Sequence, residues 1–294
     1  MEQAREATMT CISFEVFPPR SVDASFDLWR TGQMLAPLEP AFFSVTCGAG
    51  SGTATHALTR DASKAIARRF GAPVMAHLTM VGQSRAEVLS AAEALHAAGI
   101  RDILALRGDA AAGQDWRAHQ DGFASSVDMV AALAKTGQFK IRVAAYPEAH
   151  PDSASAAQNI DWLKVKLDAG ATSAITQFFF EPETFLRFRD ACAAAGLTAP
   201  LIPGLMPITN WDQAARFAAR VGCTPPLELA RGFAAATRDG RTRLMALAHA
   251  CEMAEVLIAE GVEHLHFYTL NRPELTRDIC AALSLGEVGL RDVA

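Results

Sequence analysis

One carboxyl stands out for its surroundings. Glu15 lies in Ile12-Ser13-Phe14-Glu15-Val16-Phe17, where most neighbours are apolar. A carboxyl stripped of water is harder to ionise, so its pKa rises. It then keeps a proton near neutral pH, as a general acid must. The structural alternative is a carboxylate paired with a buried arginine, and Arg107 would serve. Asp109, in Arg107-Gly108-Asp109, is a second carboxyl. Two carboxyls in one pocket can divide into acid and charge stabiliser. On these residues alone a two-carboxylate glycoside hydrolase is also open.

The elements that must position these groups follow a regular pattern. Eight short apolar runs, rich in Val, Ile, Phe and Thr, span Cys11–Pro18, Ala41–Gly48, Val74–Val81, Asp102–Gly108, Lys140–Pro147, Ser173–Phe180, Leu201–Ile208 and His264–Leu270. Such runs suit buried strands. Each is followed by a helical pattern, for example Ser84–Ala98. Their starts lie 30, 33, 28, 38, 33, 28 and 63 residues apart, so the first six gaps each hold one strand and one helix. The last gap holds extra helical sequence, clearest in Asn210–Arg220 and Arg241–Glu260. Ser84 and Glu87 have capping-box spacing, and Gly99, Gly170 and Gly196 mark helix ends. Eight strand–helix units predict a single (β/α)8 TIM barrel over residues 1–294, with extra helices before the last strand. A doubly wound sheet is the alternative fold.

In such a barrel alternate strand residues point inward, and sites form at the C-terminal strand ends. Those ends carry Glu15, Thr46, His77, Arg107-Gly108-Asp109, Tyr146 with Glu148 and His150, Gln177, and Tyr268 with Asn271 and Arg272. Any one of these could be a satisfied structural residue. Polar groups delivered to one rim by seven strands argue for a site.

Composition narrows the chemistry. Lys+Arg number 27 against 32 Asp+Glu, a net charge of −5, which disfavours nucleic-acid binding. No apolar run approaches the roughly 20 residues of a membrane helix. Met1–Thr10 is polar and lacks a signal-peptide core, so a cytoplasmic protein is expected. The six cysteines form no CxxC pair and are expected to be reduced thiols. Gly48-Ala49-Gly50-Ser51-Gly52 is GxGxG rather than GxGxxG, and reads as a flexible loop able to approach phosphate. His264 and His266 share a strand face without a Cys or Asp cluster, so no metal site is expected. No lysine stands at a C-terminal strand end, which disfavours Schiff-base chemistry.

Five segments carry a family resemblance. They are Ser13-Phe14-Glu15-Val16-Phe17-Pro18-Pro19-Arg20, Ala105-Leu106-Arg107-Gly108-Asp109, Ala144-Ala145-Tyr146-Pro147-Glu148-Ala149-His150-Pro151, Ala174-Ile175-Thr176-Gln177-Phe178-Phe179-Phe180 and His266-Phe267-Tyr268-Thr269-Leu270-Asn271-Arg272. In order and spacing, from about residue 12 to residue 285, the chain resembles the methylenetetrahydrofolate reductases. The resemblance implies a (β/α)8 barrel that binds FAD non-covalently and works by ping-pong. NADH or NADPH reduces the flavin and leaves. 5,10-Methylenetetrahydrofolate then accepts the hydride and becomes 5-methyltetrahydrofolate; the reverse direction uses the same steps. By the same resemblance Glu15 is the acid acting at folate N10, and Asp109 the flavin-side aspartate that lowers the flavin potential and stabilises the cationic iminium. Gln177 matches the residue that bonds the pterin, and Phe217 the aromatic that stacks on substrate or nicotinamide. Gln213, Tyr268 and Arg272 match further substrate-side positions. Thr46, His77, Arg107, Gly108, Asp109, Tyr146, His150 and Lys166 match FAD-contacting positions. Asn159 and Trp162 take helix positions where bacterial relatives carry polar FAD contacts, and Cys47 stands where an aromatic is common. Arg107 and Lys166 suit a diphosphate by charge. A homo-oligomer is expected. The eukaryotic regulatory domain has no counterpart, so S-adenosylmethionine is not expected to inhibit. Two other readings stay open: a flavin-free two-carboxylate barrel hydrolase, and a non-catalytic flavin- or folate-binding protein.

Overall fold

The computed structural model describes residues 10–47, 53–109, 116–148, 150 and 153–286. Eight parallel strands close a barrel in chain order: β1 (Cys11–Val16), β2 (Phe42–Val45), β3 (Val74–Thr79), β4 (Asp102–Leu106), β5 (Lys140–Ala145), β6 (Ser173–Phe178), β7 (Leu201–Leu205) and β8 (His264–Tyr268). The barrel closes where β1 pairs with β8, with Ser13 beside His266 and Glu15 beside Tyr268. Helices α1 (Val22–Leu35), α2 (Thr53–Phe70), α3 (Arg85–Ala97), α4 (Ser126–Ala134), α5 (Ala156–Asp168) and α6 (Pro182–Ala194) follow the first six strands one by one. Between β7 and β8 stand α7 (Trp211–Val221), α8 (Leu227–Arg238) and α9 (Thr242–Ala259), and α10 (Pro273–Ala282) follows β8. All eight expected strands are present. Each is shorter than its apolar run at the C-terminal end, because the last residues of each run leave the ladder and build the rim.

Two apolar layers hold the fold. Outward residues of the strands, such as Phe14, Phe43, Leu78, Ile103 and Phe267, are buried under the helices in the main core. Their inward neighbours Phe42, Met75, Leu104, Ile175 and Ile202 form a second cluster inside the barrel. The alternation follows from the two-residue period of a strand. Serine and asparagine start the helices. Ser21, Ser84, Ser125, Ser155 and Asn210 each accept a backbone N–H of the first turn, and Ser84 with Glu87 completes the capping box. Gly99, Gly170 and Gly196 have positive φ at helix ends, as expected.

Three helices stand between β7 and β8, two more than one strand–helix unit supplies. The sequence pattern alone marks α7 and α9; α8 is obscured by Pro225-Pro226 at its start and Gly232 inside it, and only Phe233 of it is buried. Phe233 anchors it by stacking on Trp211, at 5.1 Å between ring centroids.

One glycine sets the mouth of the barrel. A Cβ on Gly204 would lie 2.3 Å from the Thr176 carbonyl oxygen and 2.5 Å from Tyr268 Cε2. The bare backbone lets the Tyr268 ring lie against β7 and donate its hydroxyl to the Thr176 carbonyl at 2.6 Å. Gly204→Ala is expected to cost about 1–3 kcal/mol by overpacking, measured by urea unfolding. Unchanged stability would mean that β7 shifts freely and does not fix Tyr268.

Candidate active site

The barrel interior at the C-terminal end is built around Glu15. Its side chain is 13% exposed and comes from the inward face of β1. Its Oε2 lies 3.5 Å from His77 Nε2 of β3 and 4.0 Å from His266 Nε2 of β8. Burial raises the Glu15 carboxyl to about 7, and the nearby His77 opposes this only in part. Burial also lowers His77 to about 4 and His266 to about 3. Near neutral pH both imidazoles are therefore uncharged, and the carboxyl lacks the cation that would hold it ionised. Arg107, the arginine considered as its partner, has its guanidinium 5.2 Å from the centre of the Trp116 ring.

The backbone around Glu15 is clamped to the turn after β8. Thr269 donates its hydroxyl to the Glu15 carbonyl at 2.6 Å. Asn271 grips both backbone groups of Phe17: its Oδ1 accepts the N–H at 2.9 Å and its Nδ2 donates to the carbonyl at 3.1 Å. Leu270 and Asn271 both have left-handed backbone, with φ of 53° and 54°. Strain of that kind persists where surrounding bonds over-determine it, and it concentrates at functional sites.

Around this carboxyl the expected residues fall into three groups. Beside it lie His77 and Tyr268; burial and the neighbouring Glu15 and Tyr146 raise the Tyr268 phenol well above its ordinary value. Gln177 of β6 is half-buried, its Oε1 accepting the Phe178 N–H. The second group sits over β5. The Tyr146 ring meets His150 edge-on at 4.5 Å, Asn159 Nδ2 donates to the Tyr146 carbonyl at 2.7 Å, and Lys166 Nζ donates to the Ala144 carbonyl at 2.7 Å. Asn159, Trp162 and Lys166 lie three and four residues apart on α5, on one helix face. Trp162 is half-exposed. Burial lowers Lys166 to about 8. The third group is the rim. Gln213 and Phe217 share one face of α7 and are half-buried. Arg272 precedes α10 with Nη1 3.5 Å from Thr209 Oγ1, and Asp109 is exposed beyond β4. Gly108 has φ of 82°, and a Cβ there would lie 2.6 Å from Val81 Cγ1, so the turn into Asp109 demands glycine. Thr46, just after β2, is buried, and its Oγ1 has no partner among the described residues. The loop Gly48–Gly52 lies outside the described residues.

The sequence reading gave no role to Ser13, Arg142 or the His264–His266 pair. All four lie inside the barrel below Glu15. Their signal was the two-residue spacing of Ser13 with Glu15 and of His264 with His266 and Tyr268, which puts each set on one strand face.

A closed (β/α)8 barrel with a neutral, buried carboxylic acid at the mouth defines a barrel enzyme equipped for acid catalysis. Comparison with known proteins narrows the class. The family model for methylenetetrahydrofolate reductase matches residues 1–284, and the chain belongs to that family. It is 42% identical over 275 residues to the 5,10-methylenetetrahydrofolate reductase of Pectobacterium carotovorum, covering 93% of this chain and 90% of that one. It is 34% identical to methylenetetrahydrofolate reductase (NADH) 1 of Arabidopsis thaliana, covering 92% of this chain and 48% of that one. Among solved structures, a Clostridium thermocellum protein that binds two copies of 5-methyl-5,6,7,8-tetrahydrofolic acid shares the fold, with a TM-score of 0.59 at 13% identity over 94% of this chain and 95% of that one.

The raised acid has a consequence for stability. Glu15 binds its proton more tightly in the folded chain than in the unfolded one. Its contribution is therefore fully present below the ordinary glutamate pKa and is lost as pH rises through about 7. The buried histidines act in the opposite sense, losing stability as pH falls, so the comparison must isolate Glu15. Relative to Glu15→Gln, which stays neutral, the wild type is expected to lose about 3 kcal/mol between pH 4.5 and 8. Urea unfolding across that range measures it. A pH-independent difference between the two proteins would refute the raised acid.

Proposed function

We propose that the chain is an FAD-dependent 5,10-methylenetetrahydrofolate reductase that takes its electrons from NADH or NADPH and produces 5-methyltetrahydrofolate. The observation that carries this reading is the desolvated Glu15 carboxyl, raised by burial to about 7, at the mouth of a barrel of this family. A hydrolase with two carboxylates would need one of them ionised as a base or nucleophile within reach of the acid. Around Glu15 stand two neutral histidines and a tyrosine instead.

The residues over β4 and β5 suit FAD. Lys166 is a half-buried cation whose one hydrogen bond among the described residues goes to a carbonyl, so an anion would stabilise it. Arg107 is a second cation for the diphosphate, and the orphaned Thr46 hydroxyl is a further polar contact. Gly108, His77, Tyr146, His150, Asn159 and Trp162 would complete the cofactor side. When bound, FAD supplies the hydride chemistry. The rest falls to the chain. Glu15 gives its proton to folate N10, the bond from N10 to the bridging methylene breaks, and the N5 iminium that remains accepts the hydride. Asp109 holds negative charge near that cation. Gln177 orients the pterin, Phe217 stacks on it, Gln213 and Tyr268 line the same face, and Arg272 offers a cation to the glutamate carboxylates.

Two variants test the roles. Glu15→Gln is expected to keep anaerobic reduction of the flavin by NADH and to lose folate reduction by at least 100-fold. Stopped-flow absorbance follows each half-reaction, and equal loss in both would remove Glu15 from the acid role. Asp109→Asn is expected to raise the potential of the bound flavin, because it removes negative charge beside the cofactor. Dye-linked redox titration reads this, and an unchanged potential would place Asp109 elsewhere. A purified protein that stays colourless when FAD is supplied would return the flavin-free hydrolase.

A further inference from the structure

Below Glu15 the barrel holds a buried polar column. Ser13 Oγ lies 2.7 Å from His266 Nδ1 and 2.9 Å from His264 Nε2, so one hydroxyl serves two imidazoles. His266 is fully buried, and its Nε2 has no hydrogen-bond partner among the described residues, although it lies 4.0 Å from Glu15 Oε2. The Phe42 ring packs against His264 at 5.5 Å and His266 at 5.9 Å. On the same ring, at 4.6 Å, sits the guanidinium of Arg142, bonded to Ser173 Oγ at 3.1 Å and 3.5 Å from Asp102.

Each group facing the column constrains its protons. Burial above all, then the neighbouring His266 and Arg142 and Lys140 of β5, opposes a charge on His264, and burial with Arg142 opposes one on His266, so both rings are held at about 3. Asp102 of β4 is paired with Arg142. Facing Glu15 are His77 of β3, His266 and Tyr268 of β8; His77 Nε2 is already engaged with Ser44 Oγ at 2.8 Å. Two neutral imidazoles and one hydroxyl allow two orders. In the first, Ser13 donates to His264 Nε2 and accepts from His266 Nδ1–H, which leaves His266 Nε2 bare toward Glu15. In the second, His264 donates to Ser13, Ser13 donates to His266 Nδ1, and His266 Nε2–H points at Glu15. The first order can accept the O–H of a protonated carboxyl. The second can only donate, and an N–H donor favours the carboxylate over the neutral acid because a bond to the charged oxygen is the stronger one.

We propose that His264 is a positioning residue for the acid step: by accepting the Ser13 hydroxyl proton it fixes the His266 ring with its bare Nε2 toward Glu15. The assignment rests on Glu15 being the acid of the reaction. His264 acts from the far end of the column and touches no substrate. Without its acceptor, the Ser13 hydroxyl has only His266 Nδ1 to donate to, and the column turns to the second order. A carboxylate at Glu15 is then favoured and the acid is lost at lower pH.

The test uses the full chain with ¹⁵N-labelled histidine. Nitrogen shifts distinguish a bare from a protonated ring nitrogen without any turnover. At pH 6 the wild type is expected to carry the His266 proton on Nδ1. His264→Phe is expected to move it to Nε2. His264→Gln places a carbonyl acceptor near Ser13 and is expected to keep the proton on Nδ1; His264→Leu repeats the loss if phenylalanine does not fit. In the FAD-loaded enzyme, the limb of folate reduction that falls with rising pH is expected to shift down by about one unit in His264→Phe. That is about a tenfold loss above the limb. Flavin reduction by NADH stays unchanged and His264→Gln restores the profile. An unmoved His266 proton in both His264→Phe and His264→Leu, or a glutamine variant as impaired as phenylalanine, would reduce His264 to packing. Failure of the Glu15 role is read separately: Glu15→Gln would retain folate reduction whatever the nitrogen shifts do.

Discussion

The site depends on keeping a carboxyl dry without giving it a cation. Glu15 lies at the end of β1, inside a closed ring of strands, so solvent reaches little of it. A buried carboxylate beside arginine or lysine would ionise and lose its value as an acid. Here the nearest nitrogens belong to histidines that the same burial keeps neutral. The closed sheet thus sets both halves of the condition. It desolvates the acid, and it desolvates the groups that could otherwise ionise it.

That condition explains why the barrel interior departs from a simple apolar fill. Phe42, Met75, Leu104, Ile175 and Ile202 form the apolar part. The β1–β8 seam instead carries Ser13, Glu15, His264, His266 and Tyr268, matched across the register of the two strands. Polar groups inside a barrel are tolerated where they satisfy one another, and an unsatisfied one costs about 1–3 kcal/mol. Ser13 satisfies both histidines, and Tyr268 finds the Thr176 carbonyl. Within this seam the unpartnered Nε2 of His266 is the exception among the described residues, and it is the atom aimed at Glu15.

Much of this was legible before any coordinates. The eight strands announced themselves because buried parallel strands read as short, β-branched apolar runs, and the spacing of those runs fixed the barrel. Glu15 was legible for the same reason: a carboxyl inside such a run must be buried or paired. The partners of Glu15 were not. Ser13 and His266 are 253 residues apart, and only the register across the closing seam brings them together. The choice between Arg107 and the histidines likewise depends on which strands face one another. Helix α8 was hidden by local punctuation, because its place depends on one aromatic contact, Phe233 on Trp211, rather than on a periodic face.

Opposed titrations give the site a natural range. Glu15 holds its proton up to about 7, while His77, His264 and His266 stay neutral down to about 3 or 4. Between those limits the cluster of one acid and three bases carries no charge in a barrel that would penalise any. Above the range a carboxylate appears beside bare imidazole nitrogens. Below it an imidazolium appears near Arg142, whose own pKa burial already lowers. Burial is the main reason that the histidines stay neutral, and Arg142 at the floor adds to it for His264 and His266, with Asp102 and the Phe42 ring compensating its own charge. Exchanging Arg142 for a neutral residue would remove only the smaller cause, and burial would still hold the rings neutral. The acid at one end of the barrel is therefore protected first by the burial it shares with the histidines, and only second by a cation held at the other.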